Sequence, residues 1–168
     1  MKVLIVGLTP PLEGGSERHI YELSKRIESD VFTQKGSLCD SKIETSLFFK
    51  NKMLLRNIFF AICFYLYTIR LLFAIRKKYN IIHIHENLLY PCAILLSLRY
   101  KIVITVHGLK GFKFYDNQLI WYFLCVSLFF ANIITVSQTD KILLEEENFS
   151  NITYVPNGVD LSHYGVGK

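Results

Sequence analysis

The sequence has no closely spaced cysteine pair, no D-x-D pair and no long run of like charge, and each absence closes off a class of protein. Its four cysteines, Cys39, Cys63, Cys92 and Cys125, are far apart, form no C-x-x-C and mostly sit in apolar runs. They read as reduced core residues of a cytosolic protein rather than a disulfide frame. Asp30, Asp40, Asp116, Asp140 and Asp160 supply no pair to hold a divalent ion. The 19 Lys and Arg residues fall in small groups such as Arg76-Lys77-Lys78, so the formal charge of +5 gives no support for a nucleic-acid partner. Anionic lipid or phosphate-bearing ligands fit that charge equally well. Neither G-x-G-x-x-G nor G-x-x-x-x-G-K-[ST] occurs, which removes the main support for dinucleotide oxidoreductases and P-loop NTPases. Val3–Val6 runs straight into Gly7 and a proline-glycine loop without a long apolar stretch, so no signal peptide and a cytoplasmic location are expected. Asn148-Phe149-Ser150 and Asn151-Ile152-Thr153 then read as polar turns rather than glycan acceptors.

What is present is apolar. With 168 residues, 51% of them hydrophobic and 14% aromatic, the chain has material for one domain with a substantial core. A mean hydropathy of +0.29 leaves apolar surface to face a partner or a membrane. Val3–Gly7 is a β-branched run ending in glycine, followed by Thr9-Pro10-Pro11-Leu12-Glu13-Gly14-Gly15, which neither a helix nor a central strand accommodates. Ser16 is placed to cap a helix reaching about Glu28, with Ile20, Leu23 and Ile27 on one face. Strands are predicted at Val31–Thr33, Ile43–Phe49, Ile81–His85, Lys101–Val106, Asn132–Val136 and Ile152–Val155. Helices are predicted at Lys52–Lys78, Leu88–Leu98, Gln118–Ala131 and Gln138–Glu147. Strand and helix alternate, which implies an α/β fold: a single Rossmann-like, doubly wound domain with a mostly parallel sheet of six or seven strands.

Two stretches require a membrane test. Asn57–Ile69 holds 13 uncharged residues, roughly 20 Å as a helix against a hydrocarbon core of about 30 Å, so it suits a buried or interfacial helix. Asn117–Thr139 is uncharged over 23 residues, but its composition splits. Leu119–Phe130 is leucine- and aromatic-rich, whereas Ile133–Val136 is β-branched. A buried helix feeding a buried strand explains this better than one spanning helix.

Chemistry-bearing residues recur at predicted strand ends. Gly14-Gly15 stands between the first strand and first helix, where it serves either as a phosphate contact through backbone amides or as a tight turn. His83 and His85 alternate, so both project to one face, with Glu86 just beyond. No third metal ligand accompanies them, which favours a polar site over a metal site. His107 follows the strand Lys101–Val106 and precedes Gly108. Because ligands bind outside the carboxyl ends of strands in open parallel sheets, His107, His85, Glu86 and Gly14-Gly15 are expected to converge on one edge. Ser137 holds the matching place after the next strand, as a site residue or a helix cap. Gly108–Tyr115, carrying Lys110 and Lys113 among aromatics, reads as a solvated or an acceptor-contacting loop.

These residues resemble the N-terminal domain of retaining glycosyltransferase family 4, with the GT-B architecture. The matching pieces are Gly14-Gly15 with Glu17-Arg18-His19, Ile82-His83-Ile84-His85-Glu86, Thr105-Val106-His107-Gly108, Thr135-Val136-Ser137 and Val155-Pro156-Asn157-Gly158-Val159-Asp160. They cover nearly the whole chain in the expected order. The resemblance implies that residues 1–160 form the acceptor-side domain, with a second Rossmann-like domain binding a nucleotide-diphosphate sugar across a cleft. It implies transfer with retention, without metal or cofactor, to an unknown acceptor such as a glycan or a lipid-linked sugar. By the same analogy Gly15 offers its amide to the donor diphosphate and His107 contacts the transferring sugar as the catalytic residue. Gly14, His85, Glu86, Ser137 and Asn157 complete the substrate- and donor-binding set. Residues 161–168 would begin an interdomain linker, and the donor-binding half would be supplied in cis or in trans. The alternative is a non-catalytic acceptor-binding or membrane-recruiting subunit of a split transferase, peripheral at the inner face of the membrane.

Overall fold

The computed structural model describes residues 1–11, 14–45, 79–109 and 118–158. The expected helix at Lys52–Lys78, the loop lysines Lys110 and Lys113 and the segment from Val159 onward lie outside the described residues. In chain order the elements are β1 (Val3–Val6), α1 (Gly15–Arg26), β2 (Ser29–Gln34), β3 (Lys42–Thr45) and β4 (Ile81–Ile84). A 3-10 turn (Asn87–Leu89) then leads into α2 (Cys92–Leu96), β5 (Lys101–Val106), α3 (Gln118–Phe129), β6 (Asn132–Thr135), α4 (Gln138–Glu146) and β7 (Ile152–Tyr154).

The seven strands among the described residues join one parallel sheet in the order β3-β2-β1-β4-β5-β6-β7. The order reverses between β1 and β4, and in a doubly wound sheet that reversal opens a crevice at the carboxyl ends of the two strands. Strand parity sorts the core onto two faces. Leu4, Val6, Ile82, Ile84, Ile102, Ile104 and Val106 pack with Ala93 and Leu96 of α2 and Leu124 and Leu128 of α3. Val3, Ile5 and Val31 pack instead with Ile20 of α1 and Cys39. Each such buried aliphatic side chain contributes about 1.5–3 kcal/mol relative to exposure.

Several local expectations are corrected. Ser16 does not cap α1. The helix starts two residues earlier with Gly14 as its cap, and the Ser16 hydroxyl donates to Glu17 Oε2 at 2.8 Å. The helix expected over Leu88–Leu98 is a 3-10 turn and a five-residue helix, because Pro91 has no N–H to continue the ladder. The uncharged stretch from Gln118 onward does divide into helix and strand, yet α3 is only half buried. Leu124, Ser127 and Leu128 face the core, while Tyr122, Phe123 and Phe129 are exposed. No helix among the described residues is long and apolar enough to cross a membrane. Cys39 and Cys92 are buried, Cys125 is half-buried, and all three are free thiols.

Candidate active site at the carboxyl edge of the sheet

Gly7 directly follows β1 and its N–H continues the ladder to Phe32 O, and His85 directly follows β4 and its N–H reaches Val6 O at 2.9 Å. Gly7 is glycine for reasons of space. A Cβ there would lie 2.6 Å from Ile20 Cδ1 and 3.3 Å from His85 Cβ, so its absence lets α1 close onto the end of β4. The following loop is tied down by Thr9, whose hydroxyl lies 3.0 Å from Thr33 Oγ1 and 2.7 Å from Ser37 Oγ. That anchor delivers the chain to Gly14-Gly15 and the N-terminus of α1.

Gly14 and Gly15, at the start of α1, are exposed, and the first-turn amides of a helix have no partner within it. A Cβ at Gly15 would meet nothing within 4 Å, so the approach to its backbone is open. Over Gly14 the space is taken by the Glu17 carboxylate, a first-turn acid favoured by the helix dipole.

Four imidazoles meet at the same edge. Parity places His83 on the α1 face, opposite Ile82 and Ile84, and Thr105 and His107 on that face of β5. His83 Nε2 lies 2.7 Å from Thr105 Oγ1, and His85 Nδ1 lies 3.0 Å from His107 Nε2. Both contacts are diagonal steps of the same register. The His83 and His85 ring centroids are 4.1 Å apart, confirming the shared face. His19 closes the group from α1, its ring 5.4 Å from that of His85 and 5.3 Å from that of His107.

Burial dominates the electrostatics. Desolvation pushes the His83 pKa down to about 3 and that of His107 down to about 4, with repulsion from His19 adding in both cases. His85 is held well below the ordinary imidazole range for the same reason. His19 is also lowered by burial, partly offset by a side-chain hydrogen bond with Asn157. At neutral pH the cluster is therefore four uncharged rings, each with one N–H and one lone pair. His85 and His107 spend their facing nitrogens on each other, an arrangement for hydrogen bonding rather than chelation. Among the described residues no group of three or more His, Cys, Asp or Glu side chains is arranged to hold a metal ion.

The expected residues thus fall into two sets. Gly14, Gly15 and half-buried His107 lie at the accessible edge, with Glu86 half-buried beyond β4. His85 is buried, 3% exposed, beneath His107. Ser137 caps α4, its Oγ accepting from the Asp140 N–H. Asn157 joins the cluster through His19.

Two residues given no site role from the sequence belong here. His19 precedes Ile20, the buried position of α1, and so is carried toward the sheet. Asp140 stands three residues after a capping serine, and its buried Oδ1 accepts from the Leu109 N–H at 2.9 Å. That bond fixes the chain leaving His107, where Gly108 adopts φ 131°, a conformation that disfavours any side chain.

The sequence profile of Glycosyltransferase Family 4 matches residues 13–163. This chain belongs to Glycosyltransferase Family 4. No curated protein matches the sequence significantly. Among solved structures, sucrose-phosphate synthase from Thermosynechococcus elongatus superposes on 96% of the family 4 chain with a TM-score of 0.75 at 16% identity. Anabaena HepE, in a structure in complex with UDP, superposes on 98% with a TM-score of 0.65 at 15% identity. Likeness at such identities speaks to the fold. The family 4 chain spans about half the length of each, 49% and 46%.

Proposed function

We propose that this chain is the acceptor-side domain of an enzyme that transfers a sugar from a nucleotide-diphosphate donor to an acceptor, with retention of configuration and without a metal. The observation that carries this reading is the convergence, at the switch point of the sheet, of an open helix N-terminus with a half-buried, uncharged histidine. Gly15 at the start of α1 suits an oxyanion of the diphosphate, because the backbone is approachable and the helix dipole favours negative charge. His107 suits a hydroxyl of the transferring sugar and would help hold the anomeric carbon in line. Leaving-group charge would be met by amides and by cationic groups of the second domain. The bound UDP of the HepE structure supports a nucleotide as part of the donor.

In this reading residues 1–160 form one domain, and the nucleotide-binding half is a second domain supplied in cis or in trans. Closure of the two excludes water from His107 and strengthens its hydrogen bond to the sugar. The acceptor would be a glycan or a lipid-linked sugar, with the domain working at the cytoplasmic side of a membrane. The experiment combines the complete two-domain assembly with a panel of sugar nucleotides and reads products by mass spectrometry. Product with the donor's anomeric configuration, formed in the presence of chelator, supports the proposal. An inverted product, or activity lost to chelator and restored by a divalent ion, overturns the corresponding part. Binding of acceptor with no transfer from any donor would leave the non-catalytic subunit as the better description.

A further inference from the structure

The pairing of His85 with His107 contains more information than a contact. Both rings are neutral near pH 7, so the 3.0 Å contact between His85 Nδ1 and His107 Nε2 is made by a single proton. Two arrangements satisfy it. If His107 donates from Nε2, His85 carries its own proton on Nε2. If His85 donates from Nδ1, then Nε2 of His85 is a bare lone pair and His107 carries its proton on Nδ1. His85 Nε2 decides between them: it is fully enclosed and has no hydrogen-bond partner among the described residues. A buried N–H without an acceptor is the rarer and costlier orphan in folded proteins, whereas an under-satisfied acceptor is better tolerated.

We propose that His85 is a positioning residue, donating from Nδ1 to His107 Nε2 and so fixing His107 as the Nδ1–H tautomer, with that N–H presented to the ligand. No other hydrogen bond to a described residue competes for the His107 ring, which is half-exposed at the strand end. His85 itself, 3% exposed, is too deep to touch a sugar. The consequence for specificity is direct. A His107 that donates selects an acceptor atom on the ligand, such as a hydroxyl oxygen, whereas the other tautomer would demand a hydroxyl hydrogen. The ligand part rests on the proposal that His107 meets the transferring sugar. The tautomer part does not.

The test separates the two. The 168-residue chain, with ¹⁵N-labelled histidine, is studied at neutral pH by long-range ¹H–¹⁵N correlation spectra, which distinguish the tautomers of each ring. We expect Nδ1–H for His107 in the native chain. Nε2–H for His107 there overturns the proposal, with no variant required. In His85→Leu the proton of His107 should redistribute toward Nε2, while in His85→Asn, whose amide offers a donor at the position of Nδ1, it should stay on Nδ1. A His107 signal indifferent to both changes also overturns it.

In the complete two-domain assembly, His85→Leu should lower kcat by roughly 10-fold or more, the scale of losing an orienting partner, with the Asn variant recovering most of the loss. Equal loss in both variants would mean a structural role. If the tautomers behave as expected but His107→Ala remains fully active, the positioning stands and the sugar contact falls.

Discussion

The two ends of the parallel sheet are built to opposite rules. At the amino edge, Asp30 at the start of β2 is buried yet fully engaged. Its Oδ2 accepts from Lys2 Nζ at 2.9 Å and from Tyr79 Oη at 2.5 Å, and its Oδ1 accepts from the Ser41 hydroxyl. Burial and the neighbouring carboxylate hold the Tyr79 hydroxyl protonated by raising its pKa. These residues precede or open β1, β2, β3 and β4, so one carboxylate ties four strands at their origins. At the carboxyl edge, polar groups are equally buried but incompletely matched. His85 Nε2, Asp140 Oδ2 and Thr135 Oγ1 have no hydrogen-bond partner among the described residues. A satisfied network specifies the fold, whereas polar groups held in place with bonding capacity unspent mark where the molecule is prepared for something else.

Acid should separate the two edges most strongly. Histidines with depressed pKa values stay neutral in the folded chain while their unfolded counterparts protonate near pH 6.5, so stability is intact above that pH and falls as pH drops toward 4. By pH 5 we expect about 2 kcal/mol lost through His83 and somewhat less through His107, which water partly reaches. Denaturant titrations at pH 7.5 and 5 measure this, and a His83→Gln variant should show a shallower pH slope. An unchanged slope would place the acid sensitivity elsewhere.

Next in size is the amino edge. Asp30→Ala leaves Lys2 and Tyr79 without their shared acceptor and should cost about 3 kcal/mol in urea unfolding. If the proposed function holds, a two-domain assembly carrying the folded variant should keep its kcat. A variant that is stable but catalytically impaired would contradict the division of labour between the edges.

For His107→Ala the expectation is reversed. Turnover of the two-domain assembly should drop roughly 10²-fold, as for loss of one preorganised donor, while the unfolding midpoint stays near that of the native chain. Full activity would return His107 to a purely architectural role.

The smallest effect on stability belongs to Gly15→Ala. With open space around the added methyl and an α-helical position, the change should leave stability within about 0.5 kcal/mol or improve it slightly. Donor binding, measured by calorimetry on the assembly, should nevertheless weaken if the diphosphate lies against that backbone. Unaltered affinity would move the phosphate away from α1.

The sheet and its carboxyl edge are legible in the sequence alone. β-Branched runs separated by helix-like stretches indicated a parallel sheet, and four chemistry-bearing features at successive strand ends pointed to one edge. Three things were not legible. The sheet order decides that β4 lies beside β5, and only then do diagonal pairs such as His85 and His107 come into reach. The length of α2 is not legible either: Pro91, which lacks an N–H, stands at its N-cap and marks only where the helix begins, while the helix closes at Leu96. The Asp30 network was invisible because its members are distant in sequence and unremarkable singly.

The offset shared by His83–Thr105 and His85–His107, 22 residues in both cases, makes β4 and β5 a matched reading frame. The polar groups His83, His85, Thr105 and His107 all fall at odd-numbered positions along these two strands and their ends, whereas Ile82, Ile84, Ile102, Ile104 and Val106 of the core are even-numbered. Lengthening the connection between the strands leaves that frame intact. Deleting one residue within β4 would not: isoleucines would exchange places with histidines on either side of the sheet, burying imidazoles against α2 and α3 and presenting hydrocarbon to the cleft. The strands therefore tolerate substitution far better than slippage, and in laboratory evolution of this domain loops should accept insertions that β4 and β5 reject.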